Sequence, residues 1–195
     1  MNRAIFLDRD GTINVEKHYL FKIEDFEWMP GVLDGLKQLQ NQGYLLIILT
    51  NQSGIARGYY RESDFFHLNE WMTRTLKNYG VDIAHIYYCP HLPDAAILTY
   101  RKACDCRKPK LGMFLQAVHD FDIDLSQSFA LGDKLRDLSI CQHSPCSGIL
   151  IGDAEQKRIV NAVKTGKYQG IRYAQDFSTA VAFISDIYSS SDNYC

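Results

Sequence analysis

Apolar residues along this chain fall into two recurring arrangements. Short uninterrupted runs at Ala4–Leu7, Tyr44–Leu49, Ile83–Tyr88, Ser128–Leu131 and Gly148–Ile151 predict buried strands. Between them, apolar residues return every three or four positions. Val32, Leu33, Leu36 and Leu39 follow Pro30-Gly31; Phe65, Leu68, Trp71, Met72 and Leu76 mark a longer helix; Met113, Phe114, Ala117, Val118 and Phe121 mark a third. Strands alternating with helices predict right-handed crossovers and a mostly parallel central sheet flanked by helices, an α/β fold. Two stretches break the rhythm: a polar and aromatic insert at Asn14–Trp28, and a loop at Cys89–Pro109 with no periodicity of its own. A long loop without elements in a compact fold is functional or is held by something.

Composition narrows the picture. The chain has 195 residues, 46% hydrophobic and 23% charged, which excludes a disordered chain or a coiled coil. We expect one domain over residues 1–188, with 89–109 as a loop insert and no large cap domain, followed by a flexible tail at 189–195. The net charge of −2 leaves no footprint for nucleic acid or an anionic membrane, so neither is expected as a partner. No apolar run approaches the roughly 18 residues of a membrane span, and the start of the chain does not read as a signal peptide. The expectation is a cytoplasmic monomer.

The chemistry gathers where strands end. The first strand runs into Asp8-Arg9-Asp10-Gly11-Thr12, the second into Thr50-Asn51-Gln52-Ser53-Gly54, and the fourth into Gly132-Asp133-Lys134. In an open parallel sheet these ends share one edge, where ligands bind. A carboxylate there can attack phosphorus, and a divalent cation such as Mg²⁺ would relieve the repulsion between it and an anionic ester. A second carboxylate two residues on can donate and accept the proton, and a hydroxyl and a lysine can stabilise the phosphoryl oxygens. Each piece alone has a plainer reading: Asp-x-Asp-Gly as a surface turn, Gly132-Asp133 as a helix cap. Their order, with three of the four at strand ends, is what makes the set specific. In the long loop, Cys89-x-His91 and Cys104-x-Cys106 supply three thiols and an imidazole. Such a set suits a tetrahedral metal, although the one-residue spacings are tighter than the usual pair and do not name the metal by themselves. Cys141, Cys146 and Cys195 lie apart from it and read as buried or incidental.

The segments Asp8–Asn14, Thr50–Gly58, Cys104–Pro109 and Gly132–Asp137 resemble the motifs of the haloacid dehalogenase (HAD) superfamily of phosphatases, and among these the branch acting on small sugar bisphosphates. The likeness carried by these motifs runs from about Ala4 to Gly152. It implies a Rossmann-like HAD fold with a zinc-bound loop insert and a sugar bisphosphate as substrate; histidinol phosphate or another small sugar phosphate is the alternative. It implies Asp8 as nucleophile, Asp10 as general acid and base, and Thr50 and Lys108 as phosphoryl-stabilising residues. Mg²⁺ would be held by Asp8, the backbone carbonyl of Asp10 and Asp133, and structural Zn²⁺ by Cys89, His91, Cys104 and Cys106. Substrate contacts would come from Glu16, Lys17, His18, Tyr19, Asn51, Gln52, Ser53, Arg107 and Lys134, with Arg107 on a second phosphate. His18 stands where the related enzymes commonly carry Gly. Phe21, Phe26 and Trp28 read as a lid or, at least equally, as core.

Overall fold

The computed structural model describes residues 1–152 and 157–192. Six strands, β1 (Ala4–Leu7), β2 (Leu45–Asn51), β3 (His85–Cys89), β4 (Phe129–Gly132), β5 (Ser147–Ile151) and β6 (Ile171–Ala174), form one sheet in the order β3-β2-β1-β4-β5-β6. Every neighbouring pair is parallel. The helices are α1 (Val32–Asn41), α2 (Ser53–Arg57), α3 (Glu62–Asn78), α4 (Gly112–Phe121), α5 (Lys157–Lys164) and α6 (Phe177–Asp192).

Side-chain alternation on β1 explains the layering. Ile5 and Leu7 face one core with Val32, Leu36, Met72, Leu76 and Phe177, from α1, α3 and the start of α6. Ala4 and Phe6 face the other, with Met113, Phe114 and Ala117 of α4 and Val163 of α5. A strand buried on both faces reads as an uninterrupted apolar run, which is how these strands were legible. The aromatic insert belongs to the first core. Phe26 packs edge-on against Trp28 and Trp71 at 4.8 and 5.1 Å, so core packing rather than a lid is its role here. Phe21 instead stacks on Tyr60 at 5.3 Å.

The structure adds elements that the apolar runs did not announce. β6 is a sixth strand at the sheet edge, and α5 and α6 pack over that end. α2 is a single short helix directly after β2, and a 3-10 helix spans Leu135–Gln142 after β4. The tail expected from 189 begins within α6, which runs to Asp192; residues 193–195, with Cys195, lie outside the described residues. Cys141 and Cys146 are buried. No helix among the described residues is long and apolar enough to cross a membrane.

Candidate active site

β1 lies between β2 and β4, so the carboxyl ends of these three strands meet at the centre of one sheet edge. Asp8 follows β1 directly and is 7% exposed; its backbone N–H still donates to Leu131 of β4. Beyond it the chain turns at Gly11, whose φ is +87°. A β-carbon at that position would sit 2.6 Å from a carboxylate oxygen of Asp133, so only glycine lets the β1 and β4 loops approach this closely.

Lys108 joins Asp8 from across the site. It is 2% exposed, and its ammonium donates to Asp8 Oδ1 at 2.8 Å and to the Leu49 carbonyl at 2.6 Å, with Asp137 Oδ1 also at 2.8 Å. Its backbone is held by Asn51, whose side-chain amide donates to the Lys108 carbonyl at 3.0 Å and accepts from the Lys108 N–H at 3.1 Å. Asn51 thus clasps the end of the long loop to β2. Burial, with Asp137 adding to it and Lys108 opposing, pushes the Asp8 carboxyl up to about 7. Burial disfavours the charge of Lys108, but Asp8 and Asp137 together outweigh it and hold the ammonium above its ordinary value. Asp137 belongs to the fourth motif, and the resemblance assigns it no role. It lies in the first turn of the 3-10 helix that follows Asp133, and its spacing in the chain does not record its pairing with Lys108.

Asp8, Asp133 and Asp137 bring oxygens within 4.8 Å of one another. Asp133 Oδ1 is buried without a hydrogen-bond partner, and burial raises its carboxyl despite the Lys134 ammonium at 2.5 Å. Three carboxylates against two ammonium groups, those of Lys108 and Lys134, form a hard-oxygen cluster with carboxylate in excess, which fits a divalent cation. Asp137 already faces Lys108 and accepts from the Lys134 N–H at 3.1 Å, which leaves Asp8 and Asp133 as its better side-chain ligands.

Above this cluster opens a cavity of about 320 Å³. Of the expected residues it is lined by Asp8, Asp10, Thr50, Asn51, Gln52, Ser53, Glu16, His18, Tyr19, Arg107 and Lys134. Lys108 and Asp133 lie beneath and beside it. Lys17 is not brought to the cavity, because its ammonium pairs with Glu27 at 2.8 Å on the surface. Arg57, Tyr60 and Arg136 also line it and were not anticipated. His18 and Tyr19 have φ of 51° and 70°. The left-handed conformation at His18 is one that glycine adopts without steric cost.

The long loop closes on its four candidate ligands. Cys106 Sγ lies 3.1 Å from Cys89 Sγ, 3.3 Å from Cys104 Sγ and 3.3 Å from His91 Nδ1, and Cys89 Sγ lies 3.5 Å from Cys104 Sγ. Ligands bound about 2.3 Å from one tetrahedral ion stand roughly 3.8 Å apart, so the four need only a slight expansion to hold zinc. Burial raises the Cys89 thiol, whereas hydrogen bonds from its neighbours hold Cys104 down against burial. Burial also lowers His91, keeping its imidazole in the neutral, ligating form. With all four positions filled by protein, such a site is structural rather than catalytic.

Residues 3–179 match the family described as Polynucleotide kinase 3 phosphatase. The chain is 55% identical over 137 residues to the D-glycero-beta-D-manno-heptose-1,7-bisphosphate 7-phosphatase of Haemophilus ducreyi, covering 70% of this chain and 75% of that one. It is 46% identical over 167 residues to the protein of that name from Pasteurella multocida, covering 86% and 84%. The 167-residue match and the family match, which runs to residue 179, extend past Gly152, where the motif-based likeness ended. Among solved structures, the D,D-heptose 1,7-bisphosphate phosphatase of B. bronchiseptica, complexed with magnesium and phosphate, aligns with a TM-score of 0.79 at 28% identity over 95% of this chain and 99% of that one. That of Burkholderia thailandensis aligns at 0.64 and 25% identity over 96% and 99%. The chain belongs to the HAD-superfamily phosphatases, in the group that contains the heptose-1,7-bisphosphate 7-phosphatases.

Proposed function

We propose that this chain is a magnesium-dependent phosphatase that removes the C7 phosphate of D-glycero-D-manno-heptose 1,7-bisphosphate, preferring the β anomer. The observation that carries the reading is the meeting of Asp8, Asp10 and Thr50 at one cavity, with Lys108 bound to the Asp8 carboxylate from below. The relatives' names supply the substrate and the anomer. Mg²⁺, with Asp8, the Asp10 carbonyl and Asp133 as ligands, would supply positive charge against the phosphoryl oxygens.

The residues divide the work as follows. A carboxylate oxygen of Asp8 attacks phosphorus, and the bond to the C7 oxygen breaks while Asp10 delivers a proton to that oxygen. Water then attacks the phospho-aspartate with Asp10 as base, releasing phosphate and restoring Asp8. The Thr50 hydroxyl accepts from Gln52 at 2.7 Å and keeps its own proton for a phosphoryl oxygen. Lys108 holds Asp8 in place and offsets charge, and Asp137 holds Lys108. Zinc in the Cys89–Cys106 cluster would fix the loop that ends in Arg107 and Lys108. Arg107 lines the cavity with its guanidinium 3.5 Å from the His91 carbonyl, and it is suited to a second phosphate. Lys134, Glu16 and the His18-Tyr19 turn would frame the sugar. The whole acts as one cytoplasmic, monomeric domain over residues 1–188.

A phosphate-release assay compares the two anomers of heptose bisphosphate, histidinol phosphate and a 3′-phosphorylated oligonucleotide, each with Mg²⁺. The reading expects the β bisphosphate to be turned over best. Preference for histidinol phosphate or the oligonucleotide overturns the substrate, and full turnover by Asp8→Asn overturns the mechanism.

A further inference from the structure

We propose that Arg9 is a positioning residue for Asp10, acting through a buried clamp completed by Gln52 and Tyr60. The inference rests on the proposed role of Asp10 as general acid and base. Arg9 lies between the two catalytic carboxylates, and alternation at the end of a strand points it away from the cavity. Its side chain is nevertheless 1% exposed and curls back beneath the loop. Its Nε donates to Asp10 Oδ1 at 3.2 Å, and its Nη2 reaches Oδ1 at 3.0 Å and Oδ2 at 2.9 Å.

Two amides complete the hold on that carboxylate. Gln52 Nε2 donates to Asp10 Oδ2 at 2.9 Å, and Asn14 Nδ2 donates to Oδ1 at 3.1 Å. Gln52 is itself fixed: its Oε1 accepts from Tyr60 Oη at 2.5 Å and from Arg9 Nη2 at 3.3 Å. Arg9 Nη2 also meets the Leu20 carbonyl at 3.3 Å, and the guanidinium carbon stands 5.5 Å from the Phe65 ring centre. Both Asp10 oxygens are therefore oriented by donors from three directions. A guanidinium this deeply buried is costly unless paired, and Asp10 is the carboxylate it pairs with.

The arrangement also gives Gln52 a task other than touching substrate. Its amide oxygen and nitrogen are both engaged within the protein, on Asp10, Thr50, Tyr60 and Arg9. Its place at the cavity wall is that of a brace between the proton-transferring carboxyl and the phosphoryl-binding hydroxyl. An acid displaced by about 1 Å loses on the order of 100-fold in rate, so a clamp of this kind has a measurable signature.

That signature is leaving-group dependence. In the first half-reaction the breaking P–O bond leaves an alkoxide, which needs the Asp10 proton, or a nitrophenolate, which does not. First-turnover rates of alcohol or phenol release are compared for heptose 1,7-bisphosphate and p-nitrophenyl phosphate in the wild type, Asp10→Asn, Arg9→Lys, Gln52→Leu and the double variant Arg9→Lys/Asp10→Asn. We expect Arg9→Lys to slow the sugar phosphate roughly 100-fold and the aryl phosphate less than about threefold, with KM unchanged. Gln52→Leu also releases the Thr50 hydroxyl, so both substrates should slow, the sugar phosphate by the larger factor, and that difference carries the test if Arg9→Lys does not fold. In the Asp10→Asn background, Arg9→Lys should cost nothing further on the sugar phosphate. Equal losses on both substrates, or additive losses in the double variant, overturn the clamp. If Asp10→Asn itself slows both substrates equally in the first turnover, the role of Asp10 as acid falls, and the clamp falls with it.

Discussion

Replacing Lys108 with Met tests the energetics at the centre of the site. The ammonium touches Asp8, Asp137 and the Leu49 carbonyl, all buried, and Met fills a similar volume without charge. Removing one partner of a buried ion pair costs about 3–5 kcal/mol. The Coulomb estimate agrees: two carboxylates within 4.8 Å of each other repel by about 3.5 kcal/mol at an effective dielectric constant of ~20 once the cation between them is gone. Part of this is recovered by protonation. Asp8 already sits at about 7, and loss of Lys108 moves it higher. A folded carboxyl above its unfolded value near ~4 binds a proton that the unfolded chain releases, so its effect eases as pH falls from about 8 toward 4. Urea unfolding without added Mg²⁺ at pH 8 should show the variant about 3–5 kcal/mol less stable than the wild type. The gap should narrow by roughly 1 kcal/mol at pH 6, since about one pH unit more of proton uptake is available to the variant. A loss under about 1 kcal/mol at pH 8, or a gap that widens on acidification, would refute the reasoning.

Three further outcomes follow from the geometry. Gly11→Ala places a methyl group 2.6 Å from an Asp133 oxygen at a positive φ, so it should abolish the stabilisation that Mg²⁺ gives in a thermal melt, while the fold is retained by circular dichroism. His18→Gly relieves a left-handed φ of 51° and should leave stability unchanged or raise it by up to about 1 kcal/mol, read in urea titrations. Cys104→Ser should remove stoichiometric zinc in metal analysis and lower the melting temperature by about 4–8 °C for a loss near 2 kcal/mol, with Arg107-dependent bisphosphate turnover falling further than turnover of a monophosphate.

The parts of the fold that could be read from the chain are those where physics leaves a continuous trace. β1, β2 and β4 are buried on both faces, so their apolar runs stop where polar chemistry begins, and Asp8, Thr50 and Asp133 stood out as the residues after a stop. The zinc-type ligands were visible because sulfur and imidazole carry their chemistry in their identity. β6 was not visible, because Arg172 interrupts a four-residue edge strand that is exposed there. Arg9, Tyr60 and Asp137 were passed over for a different reason. Each works through another side chain, and such a role is fixed by three-dimensional pairing over separations that spacing does not record. Arg9 meets Gln52 43 positions away, and Lys108 meets Asp8 100 positions away. Arg57 and Arg136 reach the cavity from α2 and from the 3-10 helix, neither of which has a long enough apolar pattern to be anticipated.

The position of β1 at the seam of the sheet has a consequence for how the molecule forms. The strands to one side, β2 and β3, precede Lys108 in the chain, and those to the other, β4 to β6, follow it. During synthesis a half-sheet of β1, β2 and β3 emerges first, with Asp8 at its open border. Lys108 then arrives with one carboxylate to meet, and its second partner appears only when β4 docks and brings Asp137. Two buried carboxylates and the ammonium between them are thereby brought together by the β1–β4 pairing, a long-range contact of the kind that slows folding. Asp8 and Asp137 thus come together on Lys108 only once β4 has paired with β1.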